Sequence, residues 1–118
     1  MCKVISNRII IGNYLIESIK NDQFSFSLDE FDRFDELLSP ILEKNDYYSS
    51  FDDEGITDFV EEYSSIIRYD SDSDRYYLEY TDKNHLINTL YRNFRIGVTK
   101  PITSAISEVS TLYWGANA

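Results

Sequence analysis

One spacing recurs along this chain and constrains its fold more than any other feature. Ile56, Phe59, Val60, Tyr63, Ile66 and Ile67 fall at i, i+3, i+4, i+7, i+10 and i+11. Those offsets put all six on one face of an α-helix. Asp58, Glu61 and Glu62 take the opposite face. Ile102, Ala105, Ile106, Val109, Leu112 and Tyr113 repeat the offsets, with Pro101 placed for a first turn and Gly115 placed to end the helix. A third helix starts at Ser27, where "SLDE" reads as a capping box: the Ser27 hydroxyl accepts from the Glu30 amide and Glu30 reaches back. Its inner side carries Leu28, Phe31, Phe34, Leu38, Ile41 and Leu42, and Asp29, Asp32, Asp35 and Glu36 fall outward. Pro40 removes one amide donor and crowds the preceding turn, so a kink or a restart is expected there. Leu86, Ile87, Leu90, Tyr91 and Phe94 mark a fourth helix, capped by Thr81 or Asp82.

The other period is two. Tyr76, Leu78 and Tyr80 alternate with Tyr77 and Glu79, an aromatic-rich pattern typical of a strand. The preceding "DSDSD" is expected to form a turn between the end of a helix and that strand, because Asp and Ser bond to nearby backbone amides. A strand needs a partner, and "QFSFS" at 23–27 and the N-terminal stretch are the candidates. The N-terminal stretch itself reads two ways. Ile9, Gly12, Ile16 and Ile19 suit a helix, and "KVISNRIII" suits a strand. With 118 residues and no repeat or Gly/Pro linker, the expectation is one domain spanning 1–118. Its fold class is α+β and predominantly helical, with four to five amphipathic helices and a small two- or three-stranded sheet or hairpin.

Charge is unevenly spread. Between Asp29 and Asp82 there are 18 Asp/Glu against 4 Lys/Arg, whereas the rest of the chain has 3 against 7. The acidic centre repels phosphates and anionic lipid surfaces and attracts basic partners. Direct nucleic-acid or membrane binding is therefore not expected. The longest apolar cluster, Ile9 to Ile11, is far too short to span a bilayer, and the N-terminus lacks a secretory layout. The lone Cys2 forms no internal disulfide. A cytoplasmic location follows as the expectation.

Motifs for catalysis and metal binding fail on inspection. Asp70, Asp72 and Asp74 match positions 1, 3 and 5 of a helix–loop–helix calcium loop. That loop then requires Gly at position 6 and Glu at position 12, where this chain has Arg75 and Thr81. His85 is the only histidine, so no HExxH pair or multi-histidine site exists. Cys2 is too near a terminus to make a reliable nucleophile–base pair with His85, and the four glycines are too scattered for a phosphate loop. The segments around 81–95 and 101–114 have the outline of a helix-turn-helix, but the would-be reading helix carries no Lys or Arg between 101 and 114. No catalytic residue, metal or cofactor is expected.

What remains is the acidic surface. Carboxylates three and four apart on a helix lie about 5–6 Å apart at Cβ. Asp29, Asp32, Asp35 and Glu36 make one row, Asp58, Glu61 and Glu62 a second, and Asp70, Asp72 and Asp74 a third group. Tyr76 and Tyr77 add rigid amphipathic contact area beside them. In composition the chain resembles the small acidic inhibitors that bacteria and their phages direct against nucleic-acid-handling proteins. That resemblance implies a non-catalytic inhibitor, of immunity or anti-defence type or a nucleic-acid mimic, that occupies a basic, nucleic-acid-binding surface of its target. The alternative is an accessory or oligomeric structural protein with apolar and aromatic contacts. A homo-oligomer is compatible with either.

Overall fold

The computed structural model describes residues 3–49, 53–95 and 98–115. Helix α1 (Asn7–Lys20) lies at its centre. Ser6 caps it, the hydroxyl accepting from the Ile9 amide at 3.4 Å. Every residue from Ile10 to Ile19 is buried, so this helix has no solvent face to register as a period. Around it pack α2 (Leu28–Glu43), α3 (Asp53–Glu62) and α4 (Lys83–Phe94), and α5 (Lys100–Tyr113) lies against α2. Gly12 allows α4 to approach closely, because a Cβ there would stand 2.2 Å from Cγ of the Phe94 ring. The Tyr14 ring lies 5.0–5.6 Å, centroid to centroid, from Phe26, Phe31, Phe34 and Trp114. These aromatic contacts tie α2 and the end of α5 to the centre.

One charge enters this core with its partner. Glu17 on α1 meets Arg95, just past α4, at 3.0 Å, and only 10% and 8% of the two side chains are exposed. Ser110 on α5 donates to the other carboxylate oxygen at 3.5 Å. Three helices therefore meet at one satisfied carboxylate.

Among the described residues, five short strands form two sheets. β1 (Lys3–Ile5) runs parallel to β3 (Tyr47–Ser49), with Lys3 opposite Tyr47 and Val4 opposite Tyr48. β2 (Ser25–Phe26), β5 (Arg75–Leu78) and β4 (Ile67–Asp70) form an antiparallel sheet in that order. The architecture is α+β and predominantly helical, as the spacing predicts, with five helices among the described residues. No helix among them is long and apolar enough to cross a membrane.

Several local expectations need correction. The 56–67 pattern does not continue as one helix: α3 stops at Glu62, and Ile67 opens β4. Residues 63–66 form turns, and Ile67 remains buried as a strand residue. "DSDSD" consequently connects two strands as a hairpin turn and does not follow a helix. "QFSFS" supplies the partner strand, whereas the N-terminal strand pairs with β3, which has no clear sequence signal. The N-terminal stretch is strand and then helix, so each of its two readings holds for one part. α2 runs uninterrupted through Pro40. Ser27 caps α2 as expected, accepting from the Glu30 amide at 3.2 Å, but the Glu30 carboxylate pairs with Arg75 and not with the Ser27 amide. Asp82 caps α4 by accepting from the Asn84 and His85 amides. Leu112, placed on the inner face by its spacing, is 60% exposed. Cys2 lies outside the described residues.

Candidate protein-binding surface

The acidic rows lie on two separate elements, and in the α2 row only part faces outward as the spacing predicts. Asp29 and Glu36 on α2 are exposed, and Asp32 and Asp35 are half-buried. On α3, Asp58, Glu61 and Glu62 are all exposed, with Glu62 also taking Arg8 of α1 at 2.8 Å. Packing of both helices on α1 turns their apolar faces inward and leaves the carboxylates outside.

The hairpin gathers the third group. Asp70 accepts from the Ser73 hydroxyl at 2.7 Å and the Asp72 amide at 3.2 Å. Those bonds, the hydroxyl first, hold its carboxyl below the ordinary value. The Tyr69 hydroxyl donates to Asp74 at 2.6 Å, which pushes that phenol up. Asp70 and Asp74 are thus committed to shaping the turn. Arg75 points elsewhere, forking onto Glu30 at 2.8 Å and 3.2 Å with Ser25 alongside. Among the described residues, no group of three or more His, Cys, Asp or Glu side chains is arranged to hold a metal ion. Tyr76 is half-buried, its ring stacked 5.1 Å from Phe26, and Tyr77 faces outward at 39% exposure.

Among the described residues three Asp adopt positive φ: Asp22 at 59°, Asp46 at 62° and Asp74 at 54°. Asp22 closes α1, where the Gln23 amide returns to the Ser18 carbonyl at 2.9 Å and the Asp22 amide to Ile19 at 3.0 Å. This is a C-terminal helix cap of the kind usually completed by Gly or Asn. Asp46 takes a bend two residues past the α2 cap Lys44, its amide returning to the Glu43 carbonyl at 3.1 Å. The last turns of α2 and α3 contain no basic residue, yet Glu43, Glu61 and Glu62 lie there, all exposed. A helix C-terminus carries partial negative charge, so each such acid costs about 0.3–1 kcal/mol at low ionic strength.

Two features escape sequence reading. A cavity of about 320 Å³ opens between the turns after α3, the chain leaving β5, and α4. Glu79 and Asp82 stand among its lining residues with His85, over Tyr63, Ile66 and Leu86. His85 lies in the first turn of α4 and is exposed. The second feature is an outward apolar pair on the parallel sheet, Val4 and Tyr48, 67% and 55% exposed and directly opposed. No family model, curated protein or solved structure matches this chain.

Proposed function

We propose that this protein acts without catalysis, by binding a basic surface of another protein that itself handles nucleic acid, and so blocks that surface. The observation that carries the reading is the placement of acids where local structure disfavours them. A solubility charge can sit anywhere exposed. Here Glu43 and Glu61 occupy helix C-termini that have no basic residue in the last turn, and Asp46 takes a bend that Asn would form without adding charge. Charge retained against local stability is consistent with selection for an external partner. The contact set is Asp29, Glu36, Asp58, Glu61 and Asp72, with Asp32, Asp35, Glu62, Asp70, Asp74, Tyr76 and Tyr77 at their margins.

The test is affinity capture of the partner from the source cell lysate in a salt gradient, run beside the variant Glu36→Lys/Asp58→Lys/Glu61→Lys. A nucleic-acid-binding protein released by moderate salt, and not retained by the variant, is the expected result. Retention by the variant equal to wild type would overturn the reading. Most of the affinity change should lie in the association rate.

The exposed Val4–Tyr48 pair favours a second reading, an accessory or self-associating protein with apolar contacts. Under that reading binding survives high salt, and Tyr48→Ser with Val4→Thr weakens it.

A further inference from the structure

The cavity beside α4 gives the proposed surface a specific anchor point. Its volume of about 320 Å³ is at the bottom of the roughly 300–1,000 Å³ range of small-molecule sites. That is room for one long side chain. Ile66 and Leu86 provide apolar wall, and Tyr63 and Tyr80 add aromatic side chains. The charged groups on its lining are Glu79 and Asp82, with no Lys or Arg among the lining residues.

Apolar stem contacts, aromatic rings and a carboxylate rim together describe the environment an arginine side chain seeks. Its methylene stem covers apolar surface while its charge stays at the opening. A guanidinium presents a planar fork that matches one carboxylate with two hydrogen bonds, and it is attracted to the face of a phenol ring. Glu79 already binds one guanidinium, that of Arg68 at 2.7 Å, with the two side chains 50% and 70% exposed. An exposed pair of this kind is held weakly and exchanges readily. Asp82 keeps one carboxylate oxygen on the Asn84 and His85 amides, which fixes the orientation of this lining carboxylate. We infer that this cavity is an anchor pocket for an arginine side chain of a basic protein partner, with Glu79 as the exchangeable counter-ion. The inference rests on the proposed binding function and names the residue type that function would recognise.

The probe is Nα-acetyl-arginine methylamide, titrated into the full chain and followed by amide and side-chain NMR shifts. The expected result is saturable shifts at His85, Leu86, Thr89 and Tyr80, with the norleucine analogue binding about tenfold more weakly for lack of a charge-assisted hydrogen bond. Glu79→Gln should weaken the arginine probe by a similar factor. Arg68→Gln, which removes the resident guanidinium, should tighten it. No saturable shift at the cavity, equal binding of norleucine, or no change in either variant would overturn the assignment. The reversal at Glu36, Asp58 and Glu61 touches no cavity residue. Failure of the acidic-surface reading and failure of the pocket are therefore read from separate experiments.

Discussion

Helices α1 and α3 handle charge in opposite ways. α1 admits one acid to its buried stretch, Glu17, and surrounds it with Arg95, Ser110 and, at 3.9 Å, Lys20. α3 exposes Asp58, Glu61 and Glu62 and has no basic residue in its last turn. In the interior an unpaired charge is too costly to persist. On the shell the cost is small, so charge can accumulate for reasons other than folding. The contrast separates residues that hold the molecule together from residues free to serve a partner, and it can be tested from both sides.

The strongest test removes the core partner. Arg95→Met leaves Glu17 buried without its main counter-charge and should cost about 3–5 kcal/mol, toward the lower end because Lys20 is near. Urea denaturation measures it, and adding Glu17→Gln to the same chain should recover most of the loss. Gly12→Ala comes next. Alanine favours a helix by about 1 kcal/mol over glycine, but the new methyl would overlap the Phe94 ring. A net loss of about 1–3 kcal/mol is expected, partly recovered by Phe94→Leu. A neutral result would mean that α1 and α4 slide apart cheaply.

Titration gives the third test. Burial, reinforced by Tyr113, raises the Tyr14 phenol above the ordinary value of 10.0. A raised folded value means the group's stabilising contribution is complete below the unfolded value and is lost as pH climbs above it. Stability should therefore fall above about pH 10, by about 1.4 kcal/mol per pH unit for one proton. Tyr14→Phe should flatten that alkaline limb, as seen in thermal melts from pH 9 to 11.5. The smallest effects belong to the shell. Glu61→Gln and Asp46→Asn should each raise stability by about 0.3–1 kcal/mol at low ionic strength, with the gain fading in high salt. Of the two, Glu61→Gln should also lose partner affinity, because Glu61 belongs to the proposed contact set. If they destabilise the fold instead, those acids are structural and the contrast between core and shell collapses.

Amphipathic elements were the readable part of this chain. α2, α4 and α5 each bury one stripe, so Phe31, Phe34, Leu86, Leu90, Ile106 and Val109 announce their helices by spacing. α1 does not, because a helix buried on every side loses the contrast between faces, and Ile9 to Ile11 then look as much like strand as helix. Ile66 and Ile67 extend the α3 period by coincidence. The intervening Ser64 and Ser65 sit in the turn that ends it, and only the pairing of Ile67 with Leu78 makes the strand. β3, and its pairing with β1, were invisible for a different reason. Three-residue strands carry too few alternations to signal, and their pairing joins residues 44 apart. The acidic rows were legible because charge needs no tertiary context. The cavity was not, since its walls come from residues 63–66, 79–82 and 85–90 and exist only after those segments meet.

The burial of every α1 residue from Ile10 to Ile19 also bears on synthesis. This helix leaves the ribosome before α2, α3 and α4, the elements that cover it. Until Phe94 has followed, the backbone at Gly12 has no ring against it, and a run of isoleucines stays wet. Short of that point the chain is a candidate for chaperone capture or aggregation. A nascent-chain series stalled before and after residue 94 should show protease resistance arriving in one late step.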